Sequence, residues 1–442
     1  MRRTLLTIVA ILVVIAGAVA LWFLSAPGPL SFAGGNKVAL ASYKDGKPTG
    51  VPAELQQASI EKRGEYLAQA ADCMVCHTAP GGKEYTGGFA FKLPFGTLYS
   101  TNITPDKETG IGNYSDAEFL AAMHRGVRRD GARLYPAMPY NSYTYVTDED
   151  ALAIKAYLFS LPPVKAPART NTLAFPFNQR WGMAFWSAFF NEDVRFQPVA
   201  DKSADWNRGA YLAEALAHCG DCHTPRNLAF ALDNRKKFAG TVSAGWYAYN
   251  ITTDKGAGIG AWTDEALLSY LSTGHAPGHG TASGPMGEAV DHSFSKLAAS
   301  DVRALVAYLR SVPAKPSSDL PSTLAGVAAT SHRQGPDNGR GKQIFAGACA
   351  SCHDWSGVSA ITPTATLTGA RAVNDPGGTN VVQVILTGMQ RPNGLVSMPS
   401  FGSIYSDADV AALANYVTAR FGSKGSTLTA KDVAKLRQQT AQ

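Results

Sequence analysis

The sequence predicts a mainly α-helical fold class, with three tandem domains that follow an N-terminal transmembrane helix. Three observations predict it: six cysteines fall into three equally spaced pairs, similar helical segments flank each pair, and an apolar run opens the chain. The length of 442 residues suits about three domains better than a single core. Ordinary hydrophobic content and a low share of charged residues indicate a globular chain rather than a disordered one.

The first residues have the features of a membrane segment. Arg2 and Arg3 precede an uncharged apolar run from Thr4 to Leu24, and about 20 apolar residues suffice for a helix to span a bilayer. Residues 1–30 are therefore predicted to form a membrane anchor. The alternative is a signal peptide cleaved after Ala18-Val19-Ala20, although the apolar run is longer than such peptides usually have. In both cases the arginines stay in the cytoplasm and the rest of the chain is exported.

The cysteines carry the strongest chemical signal. Every pair has the spacing C-x-x-C and is followed by a histidine, which is the attachment signature of haem c. The thiols add across the two vinyl groups of the haem, and the histidine binds the iron. A zinc ribbon would need its two knuckles about 15–20 residues apart, and these pairs are far more widely separated. The sequence therefore predicts three covalent haem c groups in three cytochrome c-like domains, held by Cys73, Cys76 and His77, by Cys219, Cys222 and His223, and by Cys349, Cys352 and His353.

Each predicted domain also offers a methionine as the sixth ligand of its iron. These methionines stand beside a proline, between the haem motif and the last helix of the domain. Methionine and histidine together raise the reduction potential and leave no open coordination position, which suits electron transfer rather than bond chemistry. The predicted iron ligands are thus His77 with Met138, His223 with Met286, and His353 with Met398.

Other residues compete for these roles. Methionine is most often a core residue, Met389 lies at a predicted helix end in the third domain, and His275 and His279 stand in a glycine-rich stretch expected to face solvent. The second ring nitrogen of an iron-binding histidine also needs a partner, often a backbone carbonyl. The turns at Pro80 and Pro225 are expected to supply it to the first two histidines.

The charge balance gives little information about partners. The formal net charge is +6, but no block rich in lysine and arginine occurs, so nucleic-acid binding has no support. Each haem would also bring two carboxylates, and three haems would offset that charge. The positive balance therefore does not identify an anionic partner.

Repeated segments set the domain boundaries. A short helical stretch precedes each cysteine pair, and a helix with a Ser/Thr and Asp start closes each domain. The first two domains share the segments Asn102–Lys107 and Asn250–Lys255, which indicates duplication, and the third domain lacks this segment. The predicted domains are 45–165, 196–315 and 335–425, with an aromatic-rich linker over 166–195 and a second linker over 316–334.

The first linker has an unusual density of aromatic residues. Trp181, Phe185 and Phe189 recur at the spacing of one helix face. Three interpretations remain open: a helix buried between two domains, a docking surface for a catalytic subunit, or a contact with the membrane surface near a quinone.

Taken together, these residues resemble the triheme cytochrome c subunit of bacterial membrane-bound dehydrogenases, such as the alcohol, aldehyde and gluconate dehydrogenases. Besides the haem motifs, the resemblance rests on Ser100–Asp106, Leu134–Tyr140 and Ser283–Met286. It implies that a separate catalytic subunit oxidises the substrate and that this chain is not catalytic alone. It also implies that electrons are collected on the periplasmic side of the inner membrane and delivered to ubiquinone.

The resemblance leaves the type of dehydrogenase open. The segment Phe175–Phe190 is similar to the aldehyde-type members, which implies a molybdenum-cofactor catalytic subunit and a small iron–sulfur subunit as partners. The alternatives within the family are a quinoprotein alcohol dehydrogenase and a gluconate dehydrogenase. Two alternatives lie outside this family. A self-contained multihaem enzyme would need one iron without a sixth ligand. A cytochrome subunit of a terminal oxidase would belong to an oxidase complex instead of a dehydrogenase.

Overall fold

The computed structural model describes residues 2–316, 339–390 and 397–440, so most of the predicted linker 316–334 lies outside the described residues. The described chain is mainly helical, in agreement with the predicted fold class. Its strands form short antiparallel hairpins, which are β1 Ala90–Leu93 with β2 Gly96–Tyr99, β3 Thr241–Ser243 with β4 Trp246–Ala248, β5 His275–Ala276 with β6 Gly280–Thr281, and β7 Met389–Gln390 with β8 Ser397–Met398.

The helices form three similar groups, each built around one cysteine pair. Helix α1, Arg2–Leu24, precedes them. The first group is α2 Ile60–Ala70, α3 Cys73–Cys76, α4 Asp116–Arg125, α5 Tyr140–Tyr143 and α6 Asp148–Ser160. After α7, Gly182–Phe190, the second group is α8 Ala204–Tyr211, α9 Gly220–His223, α10 Asp264–Thr273, α11 Gly284–His292 and α12 Ala299–Leu309. The third group is α13 Gly339–Ile344, α14 Ala350–His353, α15 Thr379–Thr387, α16 Asp407–Phe421 and α17 Ala430–Thr440.

In the first two groups the first helix crosses the last one, and glycine makes the crossing close. A Cβ atom at Gly64 in α2 would lie 1.8 Å from the carbonyl oxygen of Ala153 in α6. One at Gly209 in α8 would lie 1.9 Å from the carbonyl oxygen of Ala304 in α12. No side chain fits at either position. In the third group, α13 packs against α16, which is followed by α17.

Side-chain caps begin two of the three closing helices. Thr147 accepts a hydrogen bond from the backbone N–H of Asp150, and Ser406 forms a capping box with Asp409. Such caps stabilise a helix by about 1 kcal/mol. The closing helix of the second group differs, because its N-cap is Ala298, whose backbone N–H instead donates to the hydroxyl of Tyr66 at 3.1 Å.

The first and second groups are fused through one continuous hydrophobic core, whereas the third has a core of its own. The fusion includes two reciprocal buried hydrogen bonds. Tyr66 of the first group donates to Asp301 of the second at 2.6 Å, and Tyr211 of the second donates to Asp150 of the first, also at 2.6 Å. Arg208 completes the first pair with two hydrogen bonds to Asp301, at 2.8 and 2.6 Å. We call these five residues the reciprocal tyrosine–aspartate cluster.

The third core also contains a helix that the sequence did not predict. Helix α17 continues the chain beyond residue 425 and packs against α15 and α16. Its Val433 is fully buried, and Arg437 binds Asp407 at 2.7 Å.

Helix α1 is long and apolar enough to cross a membrane, with a mean hydropathy of 2.8 over Arg3–Trp22. A signal sequence near an N-terminus shares this length and this apolar composition. The far end of the helix touches the second group. The carbonyl of Trp22 accepts a hydrogen bond from Arg235 at 2.7 Å, and the Arg235 guanidinium lies 4.3 Å from the centre of the Trp22 ring.

Helix α7 does not bury its aromatic face between two domains, so that interpretation of the linker is wrong. Trp181, Phe185 and Phe189 are 67%, 64% and 51% exposed. The opposite side of the helix packs on the protein instead. There Ser187 is buried against the hydroxyl of Tyr140 at 3.2 Å.

Candidate haem-binding sites

The three motif histidines share one hydrogen-bond arrangement. In each, Nδ1 donates to a backbone carbonyl, which fixes the proton on Nδ1 and leaves Nε2 with a lone pair for a metal. Burial also lowers the pKa of all three rings, which keeps them neutral. The pairs are His77 with Thr101 at 2.7 Å, His223 with Tyr249 at 2.6 Å, and His353 with Ala365 at 2.6 Å.

These acceptors differ from those expected from the sequence. The turns at Pro80 and Pro225 do not supply the carbonyls; residues 24, 26 and 12 positions after the histidines do. The first two acceptors directly precede the duplicated segments that begin at Asn102 and Asn250. The shared segment therefore marks, in the sequence, the position of the carbonyls that orient the first two histidines, a role that was not predicted for it.

A side-chain amide holds each duplicated segment in place. The Asn102 amide donates to the Val164 carbonyl at 2.7 Å, and the Asn250 amide donates to the Lys315 carbonyl at 2.6 Å. Each asparagine oxygen also accepts from a threonine two residues later. The chain that leaves the last helix of each group thus supports the carbonyl that orients the histidine.

The cysteines are well suited to covalent attachment and poorly suited to a metal cluster. None of the six forms a disulfide, and each pair lies at a short helical turn beside its histidine. Burial raises the pKa of Cys73 and Cys219 to about 12 and that of Cys349 to about 11, so these thiols are protonated at neutral pH before haem is attached. Among the described residues, no group of three or more His, Cys, Asp or Glu side chains could hold a metal ion. The donors present fit haem c.

The three candidate sixth ligands are all half-buried methionines. Met138 lies two residues before α5, and Met286 lies in the first turn of α11. Both pack against the core shared by the first two groups. Met398 lies in β8 and is the cross-strand partner of Met389 in β7. Met389 is thus in a hairpin rather than at a helix end, and it remains a rival because it is adjacent to Met398.

The rival histidines do not face solvent as expected. His279 stacks on the Trp262 ring at a centroid distance of 3.8 Å. His275 Nδ1 lies 2.9 Å from the Thr281 hydroxyl, and its Nε2 is buried without a hydrogen-bond partner. Both rings belong to or flank the β5–β6 hairpin, and burial lowers the pKa of both. His275 therefore keeps a free nitrogen, while His279 is engaged in stacking.

The first and second motifs lie side by side. Helix α5, two residues after Met138, carries Ser142 and Tyr143. Ser142 donates to Asp221 inside the second motif at 2.9 Å, and Tyr143 donates to the Ala71 carbonyl beside the first motif at 2.7 Å. One short helix thus links both haem motifs to a candidate sixth ligand.

The second group also contacts the third close to the histidine acceptors. The backbone N–H and carbonyl of Tyr247, two residues before the acceptor Tyr249, bind the Asn380 side chain at 2.8 and 3.0 Å. The Thr281 hydroxyl donates to the Thr364 carbonyl at 3.1 Å, next to the acceptor Ala365. The second group therefore contacts both of the others.

Comparisons with known proteins agree with this chemistry. A family model described as cytochrome c matches residues 61–162, and one described as cytochrome c oxidase, cbb3-type, subunit III matches residues 336–417. The second motif lies between these ranges. Since the oxidase model matches the third group alone, it does not indicate an oxidase as the parent complex.

Relatives that match most of the chain are subunits of dehydrogenases. The gluconate 2-dehydrogenase cytochrome c subunit of Pantoea cypripedii is 39% identical over 398 residues, 86% of this chain and 90% of the relative. The fructose dehydrogenase cytochrome subunit of Gluconobacter japonicus is 39% identical over 412 residues, 87% of this chain and 84% of the relative. A subunit of the nicotinate dehydrogenase of Pseudomonas putida is 43% identical over 368 residues, 82% of this chain and 30% of that longer relative. The chain belongs to the cytochrome c subunits of membrane-bound dehydrogenases.

Proposed function

We propose that this chain is a triheme c-type cytochrome subunit that passes electrons from a catalytic dehydrogenase subunit to ubiquinone. The observation that carries the proposal is the shared arrangement of the three motif histidines, each with Nδ1 bound to a carbonyl at 2.6–2.7 Å. Three equal sites support three haems rather than two. The three tandem cytochrome c domains are 45–165, 196–315 and 335–425, after an anchor at 1–30 and with linkers at 166–195 and 316–334.

The residues of the chain prepare each haem for electron transfer. When bound, haem c supplies one-electron chemistry at its iron. Each pair of cysteines would tether one haem through two thioether bonds. The six cysteines are Cys73, Cys76, Cys219, Cys222, Cys349 and Cys352. The carbonyls behind the histidines hold the imidazole rings at a fixed angle and raise their basicity as ligands. Met138, Met286 and Met398 close the sixth positions and keep substrates away from the iron.

The linear arrangement of the groups indicates the route of the electrons. The second group contacts the first through Ser142 and Asp221, and the third through Tyr247 and Asn380. The second haem would therefore lie between the outer two in the order of these contacts. Helix α1 anchors the chain in the inner membrane, and the haem domains face the periplasm, where the catalytic subunit docks.

We propose an aldehyde-oxidising catalytic partner of the molybdenum-cofactor type, with a small iron–sulfur subunit. The support is the segment Phe175–Phe190, which is similar to aldehyde-type members of the family. The second candidate is a gluconate dehydrogenase, favoured by the relative of that name, which aligns over 90% of its length. A quinoprotein alcohol dehydrogenase is the third.

Purification in mild detergent tests the proposal. We expect the native chain to carry three haems by mass spectrometry, and the Cys219→Ala, Cys222→Ala double variant to carry two. Molybdenum in the co-purified catalytic subunit would support the aldehyde type, whereas a flavin or a quinone cofactor would exclude it. The reduced chain should not bind carbon monoxide; binding at one haem would instead support a self-contained haem enzyme. A native haem count of two would refute the triheme assignment.

A further inference from the structure

The aromatic face of α7, formed by Trp181, Phe185 and Phe189, is held outward by the rest of the protein. On the other side of the helix, the indole N–H of Trp186 donates to the Ala229 carbonyl at 2.7 Å, and Ser187 is buried. These contacts fix the opposite side of the helix against the protein, so the three aromatic rings remain exposed. Single exposed apolar residues are ordinary, but a contiguous apolar face marks a binding surface.

A neighbouring loop extends this apolar surface. In the loop 225–237 after the second motif, Leu228 is 95% exposed and Phe230 is 47% exposed. The Phe230 ring contacts the Phe177 ring, just before α7, at a centroid distance of 6.2 Å. The loop and the aromatic face thus form one patch.

The same loop ends at the membrane anchor. Arg235 in this loop binds the Trp22 carbonyl at 2.7 Å and covers the Trp22 ring at 4.3 Å. Trp22 is close to the outer end of α1, where tryptophan sits at the lipid–water interface of a spanning helix. The patch is therefore continuous with the point at which the anchor leaves the bilayer.

Charge at the edge of the patch fits a lipid surface. Lys236 is exposed on the loop, and Arg180 directly precedes the aromatic face. Arg226 is also exposed, but its charge is paired with Asp221 at 3.3 Å. Aromatic side chains rimmed by basic ones are typical of segments that lie in the headgroup region of anionic bilayers. The acidic residues Glu192 and Asp193 lie beyond the C-terminal end of α7, and Asp193 is neutralised by Arg195 at 3.0 Å.

We propose that the aromatic face of α7 and the tip of the loop 225–237 insert into the lipid–water interface, as a second membrane contact besides α1. The occupant of this surface is the bilayer itself rather than a protein. The inference rests on the proposed membrane location of the chain. It goes beyond that location because it fixes how the body of the protein is oriented: the loop that follows the second haem motif lies on the membrane side.

Spin labels test the contact in the full-length, haem-loaded chain in vesicles of phosphatidylethanolamine and phosphatidylglycerol. A nitroxide on Phe185→Cys reports the aromatic face. One on Ile361→Cys, 69% exposed in the third group, is the matched control, and one on Val14→Cys reports the anchor. Oxygen partitions into lipid, whereas a nickel complex stays in water. At positions 185 and 14 we expect oxygen to enhance the relaxation of the label at least five-fold more than the nickel complex does. At position 361 we expect the nickel complex to have the stronger effect.

The possible outcomes distinguish the second membrane contact from the anchor and from the proposed function. Lipid exposure at 14 with water exposure at 185 would leave the anchor intact and overturn the second contact. Protection of 185 from both relaxants only when the catalytic subunit is bound would identify a protein occupant and also overturn it. Labelling of the chain without an added cysteine would show that the native thiols are not consumed by haem, which refutes the proposed function instead.

Discussion

The two halves of the reciprocal tyrosine–aspartate cluster are nearly symmetric, but we expect substitutions of their two aspartates to have unequal effects on stability. Asp301 and Asp150 occupy equivalent positions, are 2% and 4% exposed, and each accepts a tyrosine hydrogen bond at 2.6 Å. Only Asp301 faces an arginine directly, since Arg208 donates to it at 2.8 and 2.6 Å. The other partner of Asp150 is the neutral backbone N–H of Gly50 at 2.6 Å.

We therefore expect Asp301→Asn to be much more damaging than Asp150→Asn. Removing one partner of a buried ion pair costs about 3–5 kcal/mol, because the remaining charge stays buried without compensation. An amide at position 150 can still accept the hydrogen bond from Tyr211, and its introduction leaves no charged group within hydrogen-bond distance without a partner. We therefore expect Asp150→Asn to lower the free energy of unfolding by only about 1 kcal/mol. The double variant Asp301→Asn with Arg208→Met should recover part of the loss.

Urea unfolding of the holoprotein, followed by the Soret and far-ultraviolet circular dichroism, measures both free energies. The Soret signal also reports whether the first two haems keep their mutual arrangement, which a purely local loss of stability would not change. Equal losses for the two variants, or a loss below about 1 kcal/mol for Asp301→Asn, would refute the argument that the arginine makes the cluster asymmetric.

Three further predictions use matched variants. Met398→Leu should abolish the methionine-to-iron charge-transfer band of the third haem and Met389→Leu should preserve it; the opposite result would assign Met389 as the ligand. Gly209→Ala should destabilise the chain by at least about 1–3 kcal/mol, because its Cβ would lie 1.9 Å from a carbonyl oxygen, whereas Gly182→Ala, with no atom within 4 Å, should be close to neutral by thermal unfolding. Burial raises the pKa of Asp150, so in the pH range between the pKa values of the unfolded and folded forms only the folded form binds the proton. Native stability should therefore fall relative to Asp150→Asn as pH rises from about 4, the ordinary aspartate value, to the raised pKa of the folded form. A difference in stability that stays constant with pH would contradict this.

Local chemistry explains what the sequence could predict. The spacing C-x-x-C-H is a requirement of one haem and can be seen without a fold. The crossing of α2 with α6 could be expected from Gly64, because only a residue without a side chain allows that approach. Helix α7 could be placed from its periodicity, but the direction in which its aromatic face points depends on what the opposite face binds.

Long-range backbone contacts explain what the sequence could not predict. The carbonyls of Thr101 and Tyr249 that orient the histidines carry no side-chain signature, and any residue could supply them. The bond from Tyr66 to Asp301 joins residues 235 positions apart, so it becomes visible only when the two groups are packed together. The pairing of Met389 with Met398 was hidden for a related reason, since a two-residue strand leaves no periodic pattern.

The three groups are therefore not equal, although their haem motifs are. Tyr66 and Tyr211 each extend from one group into the closing helix of the other, so the first two groups cannot separate without breaking both buried bonds. The third group has a separate core and meets the second through contacts such as that of Asn380 with Tyr247. If the proposed haems are bound, the fixed first pair would keep a constant electron-transfer geometry, while the separate third group could be adapted to different catalytic partners without disturbing that pair.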